Sequence, residues 1–333
     1  MQDVTDLPFW RLMARYGGAD VYYTEYFRVH PNYKLEKSIL RSIDENPTGR
    51  PAIAQMIGND IPALVRTAKD LLRHPVAGID LNLGCPAPVV YRKRAGGGLL
   101  RELELVDRIL QALRDQIDGS FSVKTRIGFE DWGDYQALLE IFANRGIDAL
   151  VVHGRTVKEM YSGEPHYDLI AKAAQYMPCP VSANGNIFSA KRARDVFETT
   201  GVAGLMIGRG AIRNPWIFDQ IRAEFRGEEP TLPTGREVLA YVHALYDEAT
   251  DAGCAPDSRV GRLKRHMNYL GDGVDRDGEF LHRIRRARGF DAFFQVCREH
   301  LDHDRPMTLI PFAVEAPESR RNIPREFREQ ATA

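Results

Sequence analysis

The chain has 333 residues, 44% hydrophobic and 27% charged, with Lys+Arg 45 against Asp+Glu 46. That length carries one domain of α/β-barrel size plus a smaller one, and the composition is that of an ordinary globular protein. A net charge of −1 excludes a polybasic nucleic-acid binder but not a local basic face.

Cys85, Cys179, Cys254 and Cys297 stand far apart, with no Cys-x-x-Cys. This argues against a disulfide framework or a structural zinc site and for a reducing compartment. No run approaches the ~20 apolar residues of a membrane span. The opening Met1-Gln2-Asp3 lacks the basic and apolar regions of a signal peptide. A cytoplasmic protein away from membranes is expected.

In chain order, Thr5 to Arg15 reads as a helix capped by Thr5 or Asp6, with Pro8 in its first turn. Asp20 to Glu25 is strand-like, and a polar segment follows up to Pro51. Strands and helices then alternate. Ala52 to Gly58 is a strand, and Asp60 caps a helix with Ile61, Leu64, Val65, Ala68, Leu71 and Leu72 as its apolar positions. Ile79 to Cys85 is a strand, followed by the glycine loop Gly96-Gly97-Gly98 and a helix from Leu103 to Ile117. Strands at Ser120–Arg126, Asp148–Gly154, Pro180–Gly185 and Val202–Gly208 alternate with helices at Tyr135–Asn144 and Tyr167–Tyr176. Further helices run from a Ser189 cap to Thr199 and onward from Pro215.

Seven strand–helix units at this spacing point to a parallel sheet of the (β/α)8 TIM barrel kind. A barrel needs an eighth strand, and the expectation is that the first is missing or truncated. Residues 1–226 form the barrel domain in this reading, 227–235 a linker rich in Gly and Pro, 236–305 a small C-terminal helical domain, and 306–333 an irregular tail. Helices are expected at Arg236–Ala252, Arg259–Leu270 and Phe280–His300.

The polar residues fall at one end of successive strands: Gln55, Asn82 with Cys85, Lys124 with Arg126, His153 with Arg155, Asn184 with Asn186, and Arg209. In a barrel those ends converge on one mouth. Each alone has a plainer explanation as a core histidine, a paired lysine or a bridging amide. Their repetition at the same strand position is what argues for a site. Asn184-Gly185-Asn186 and Gly208-Arg209-Gly210 follow the last two strands, where barrels bind phosphate on backbone N–H groups, and Arg209 adds a guanidinium.

Lys124 could stabilise negative charge on a flavin or an enolate. Cys85 has two open roles, nucleophile or proton donor; an ordinary thiol of pKa near ~8.5 is mostly protonated at neutral pH, which suits an acid. Cys297, His300 and His303 lack a fourth ligand, so no metal is expected. The helical domain carries Arg259, Arg262, Lys264, Arg265, His266, Arg283, Arg285, Arg286 and Arg288, with Tyr269 and Phe290 interleaved. A solvated helix face is the plainer reading; a surface for RNA backbone and unstacked bases is the sharper one.

Taken together these pieces resemble the tRNA-dihydrouridine synthase family. The resemblance rests on Val4-Thr5-Asp6-Leu7-Pro8-Phe9, Thr24-Glu25, Gln55-Met56-Ile57-Gly58, Asn82-Leu83-Gly84-Cys85-Pro86 and Val123-Lys124-Thr125-Arg126. It continues through Val152-His153-Gly154-Arg155, Asn184-Gly185-Asn186-Ile187, Gly208-Arg209-Gly210 and Lys264-Arg265-His266.

The resemblance implies FMN across the barrel mouth and NADPH as reductant. Met1, Gln55, Lys124, His153, Asn184, Gly185, Asn186, Gly208 and Arg209 would hold the cofactor. Cys85 would protonate C5 of a uracil in tRNA as hydride reaches C6. Asn82, Arg126, Arg155, Lys264, Arg265 and His266 would contact the tRNA, with no obligatory protein partner.

Three departures from the family pattern stand out. Of its Ala-Pro-Met only Met1 is present, its Asn-Gly-Asp is here Asn184-Gly185-Asn186, and its Arg-Lys-His is here Lys264-Arg265-His266. The rival readings are an FMN barrel oxidoreductase acting on a small pyrimidine, resembling dihydroorotate dehydrogenase, and a non-catalytic RNA-binding relic.

Overall fold

Residue 2 and the spans 4–248 and 256–312 are described by the structure, a computed structural model. Met1 and the tail beyond residue 312 lie outside the described residues.

Helix α1 (Leu7–Arg15) starts at Asp6, whose carboxylate accepts the N–H of Phe9, and Pro8 occupies its first turn as the sequence predicts. The polar segment after it contains more structure than expected. Strands β1 (Tyr22–Tyr23) and β2 (Phe27–Arg28) both pair in parallel with β3 (Ala52–Ile57), at its two ends, and a helix α2 (Lys37–Asp44) precedes it. The expected strand over Asp20–Glu25 is therefore interrupted. At the break the Thr24 hydroxyl accepts the N–H of Gln55 at 3.0 Å, standing in for a ladder carbonyl.

From β3 the chain follows the expected alternation. Helix α3 (Ile61–Leu71) is capped by Asp60 on the N–H of Ala63, and β4 (Gly78–Leu83) follows. A short helix α4 (Pro88–Tyr91) and a 3₁₀ turn over Gly96–Arg101 replace the expected glycine loop. Next come α5 (Leu103–Arg114), β5 (Phe121–Arg126), α6 (Tyr135–Asn144), β6 (Ala149–His153), α7 (Tyr167–Tyr176) and β7 (Val181–Asn184). Then α8 (Ala190–Thr200), capped by Ser189 on Arg192, leads to β8 (Gly204–Met206), α9 (Arg209–Arg213) and α10 (Ile217–Phe225). The last strand is shorter than expected because Gly208 already caps α9.

Every strand pair is parallel, in the order β1-β3-β4-β5-β6-β7-β8. Parallel strands alternating with helices in sequential order are the (β/α)8 architecture. Among the described residues no strand joins β8 to β1, so the sheet is open there. Strands buried on both faces read as near-continuous apolar runs. Ile79, Leu81 and Leu83 of β4 pack into the main core with Ile109, Leu113 and Leu139 from the surrounding helices.

The C-terminal region has its own core of Val238, Tyr241, Leu263, Met267, Phe280, Phe293 and Leu301, which Leu12 of α1 joins. It is built by α11 (Gly235–Glu248), α12 (Pro256–Leu270), α13 (Glu279–Arg286) and α14 (Gly289–Leu301). A capping box sets the start of α11: Thr234 and Glu237 exchange side-chain bonds to each other's N–H. The single helix expected over Phe280–His300 is two. Ala287 and Arg288 take extended backbone between them, and Lys264 Nζ donates to the carbonyls of Arg285 (3.1 Å) and Ala287 (2.6 Å).

Candidate active site

The C-terminal ends of the strands open into one cavity of about 980 Å³. Gln55, Asn82, Cys85, Lys124, Arg126, His153, Asn184, Gly185, Asn186, Gly208 and Arg209 all line it.

Cys85 is presented by a turn that Asn82 organises. The Asn82 side-chain oxygen accepts the N–H groups of Gly84 and Cys85, each at 2.9 Å, while its amide nitrogen donates to Gln55 Oε1 at 2.8 Å. The 3₁₀ turn closes on the other side, with the N–H of Gly97 on the Cys85 carbonyl at 3.1 Å. A Cβ on Gly97 would lie 2.9 Å from that carbonyl and 2.5 Å from Val157, so only glycine lets the turn approach this closely. Cys85 is half-buried. Burial and the neighbouring Cys85 push the Tyr26 hydroxyl up to about 12.

Beneath this turn lies Asp80, wholly buried, accepting from Gln55 Nε2 at 2.8 Å and Ser122 Oγ at 2.7 Å. Burial raises its carboxyl to about 6 even though both hydrogen bonds and the Lys124 charge pull it down. Lys124, one strand over and in register with Asn82, donates to Asn184 Oδ1 at 3.3 Å. Burial and Arg126 lower its ammonium to about 8. Near neutral pH Lys124 is thus mostly a cation facing the cavity.

His153 is buried and held well below its usual pKa by desolvation and by Arg126, Lys124, Arg155 and Arg209. Its Nε2 lies 3.1 Å from Arg155 Nη1, which can only donate, so a neutral ring carries its proton on Nδ1. Arg126 is spent on structure: it donates to the carbonyls of Gly84 (2.9 Å), Thr156 (2.7 Å) and Met160 (2.8 Å). Arg155 departs from the expectation that it meets a substrate. It is fully buried behind His153 and donates to the carbonyls of Ser162 and Gly163.

At the far end of the cavity Arg209 donates to Asn186 Oδ1 at 3.2 Å and lies over the Tyr161 ring at 4.4 Å. The loop after β7 and the start of α9 touch there. A Cβ on Gly210 would meet the Ile187 carbonyl at 2.4 Å. Tyr269, from α12 of the helical region, completes the rim. Arg213 ties it down by donating to the Tyr269 carbonyl at 2.8 Å.

The helical basic triplet separates into different roles. Lys264 staples α12 to the end of α13, as above. His266 is buried, stacked on Phe9 of α1 at 5.9 Å. Arg265 alone of the three is exposed. Charge on this face is more balanced than the nearby sequence suggests, because Glu299 of α14 pairs with Arg283. Cys297 is buried in the helical core, and its thiol is raised to about 12.

Sequence reasoning assigned no site role to Asp80, Tyr26 or Tyr161, named Thr24 only within a motif, and read Tyr269 as part of a basic helical surface, whereas it lines the cavity. The alternation Asp80-x-Asn82 inside an apolar strand was a usable signal for Asp80, since residues two apart share a face. Tyr26 lies in the interruption between β1 and β2, which no period marks.

A sequence profile described as Dihydrouridine synthase (Dus) matches residues 1–297. Among curated proteins, tRNA-dihydrouridine synthase B of Pseudomonas putida is 39% identical over 258 residues, covering 74% of this chain and 76% of that protein. The Pseudomonas aeruginosa protein of the same name is 37% identical over 301 residues, covering 88% of each chain. That of Xanthomonas axonopodis pv. citri is 32% identical over 306 residues, covering 91% of each.

Proposed function

This chain belongs to the dihydrouridine synthase family, and from that premise we propose that it reduces a uridine in tRNA to 5,6-dihydrouridine. The observation that carries this reading is the meeting of Cys85, Lys124 and Arg209 around one cavity open at the strand ends. The lining suits FMN. The volume is in the range of cofactor sites, Lys124 donates to Asn184 and Arg209 to Asn186, and the close approach of Gly210 to Ile187 brings the two glycine-bearing loops together where a phosphate would sit. Gln55, Lys124 and His153 would hold the ring and ribityl chain, and Asn184, Gly185, Asn186, Gly208 and Arg209 the phosphate.

FMN bound there and reduced by NADPH would supply the hydride that C6 of the uracil receives. Cys85 gives its thiol proton to C5. The Asn82 turn aims the sulfur, and Lys124 keeps positive charge beside the electron-rich partner. His153, neutral, donates from Nδ1. The uridine must leave its stack to reach the cavity, and Arg265 with the neighbouring arginines of α12 and α13 engages tRNA phosphate in the cytoplasm.

The test is incubation of purified protein with FMN, NADPH and unmodified tRNA, read by mass spectrometry for a gain of two hydrogens at one uridine. A protein that stays colourless with FMN and leaves the tRNA unchanged contradicts the reading and favours the non-catalytic alternative.

A further inference from the structure

We propose that Asp80 is a positioning residue that sets the Cys85 turn through the amides of Gln55 and Asn82; this rests on the reading of Cys85 as proton donor.

The four groups form one directed chain. Backbone N–H groups can only donate, so Gly84 and Cys85 fix the Asn82 oxygen toward themselves, at 2.9 Å each. The Asn82 nitrogen must then face Gln55 Oε1, which it does at 2.8 Å, leaving Gln55 Nε2 to donate to Asp80 at 2.8 Å. A carboxylate only accepts, so the far end is fixed as firmly as the near one. Neither amide can flip without opposing two like groups.

Asp80 sits in the layer below Asn82 on the same face of β4, in register with Gln55 on β3 and Ser122 on β5. Gln55, Asn82 and Ser122 are all more than nine-tenths buried, and Asp80 is wholly so. Burying a carboxylate is costly, and a small apolar residue would fill the same layer. What the carboxylate adds is an acceptor end for the chain, the support that reactive groups need from residues behind them.

The test is hydrogen exchange at the Gly84 and Cys85 amides, alongside kcat and KM for tRNA. In Asp80→Ala, exchange at these two amides quickens at least tenfold while the rest of β4 keeps its protection, and kcat falls at least tenfold with KM within twofold. Asp80→Asn, which still offers an acceptor to Gln55, restores both to within about threefold. Ser122→Ala, which removes the other bond to Asp80, leaves them as in the parent protein. If Asp80→Ala does not fold, Gln55→Met breaks the chain at its middle and carries the same exchange prediction. Unchanged exchange in Gln55→Met, loss of protection spread evenly over β4, or an equal effect from Ser122→Ala would each overturn the role. The exchange measurement needs no turnover, so a parent protein that forms no dihydrouridine fails the functional reading without deciding this one.

Discussion

Asn82 Oδ1 accepts the backbone N–H of Cys85 at 2.9 Å, so the residue that ends the strand also holds the thiol that follows it. The same oxygen takes the N–H of Gly84, and the same side chain binds Gln55. Asn82→Ala leaves the buried Gly84 donor unsatisfied, at roughly 1–3 kcal/mol, and strips the half-buried Cys85 N–H of its acceptor as well. A lowered melting temperature and a kcat reduced at least ~10-fold are expected. Asn82→Asp is no rescue: it keeps the acceptor for the turn but sets a carboxylate against Gln55 Oε1. Recovery of full activity in Asn82→Asp would count against this account.

If Lys124 holds FMN as proposed, FMN affinity should fall as pH rises. Its ammonium, lowered from the usual lysine range to about 8 by burial, is mostly charged below that pH and neutral above it. The charged form attracts an anionic cofactor, so the dissociation constant is flat below about 8 and climbs by up to a factor of ten per pH unit above it. Lys124→Met should bind FMN weakly at every pH and show no such climb. Flavin fluorescence quenching over pH 6–10 measures both; a parallel climb in Lys124→Met would refute the assignment.

The close approach of Gly210 to the Ile187 carbonyl shapes the end of the cavity beside Arg209, where the proposed FMN phosphate would sit. Gly210→Ala forces a Cβ to 2.4 Å from that oxygen and parts the two loops. Overpacking of this kind costs about 1–3 kcal/mol, and FMN affinity should fall ~10-fold or more. Gly119→Ala, with open space around its Cβ position and no positive φ, is the control for a general glycine effect. Equal FMN affinity in parent and Gly210→Ala would exclude the seat.

The basic triplet of α12 should divide by experiment as it does in space. Arg265→Ala should weaken tRNA binding uniformly across sequences and lower the salt slope by about one, with the melting temperature unchanged. Lys264→Met should instead lower the melting temperature, because the Arg285 and Ala287 carbonyls lose their donor. The opposite pattern would place Lys264 on the tRNA and Arg265 in the scaffold.

The barrel was legible because its strands are short apolar runs and its helices carry their caps in sequence. Asp60 and Ser189 mark two starts by residue type alone, and both cap as read. The cavity-facing polar residues were legible for the same reason: they break apolar strands at a repeating position. The break at Ala287–Arg288 runs into Gly289 at φ 73°, a local signal in the sequence that went unused, and the Lys264 bonds from α12 then hold the freed carbonyls. What else escaped was fixed by tertiary contact. Arg155 looks like a site residue in sequence, yet its guanidinium is used up on loop carbonyls. Tyr269 reaches the cavity from a separate region of the chain, which no strand period foretells.

The central claim, that Cys85 supplies the proton to C5, is tested most directly by comparing parent and Cys85→Ala proteins loaded with FMN, counting dihydrouridine per tRNA by mass spectrometry. The account predicts equal FMN content in the two and dihydrouridine formation lower by at least ~100-fold in Cys85→Ala, the scale of a lost general acid. Equal dihydrouridine from both would contradict it.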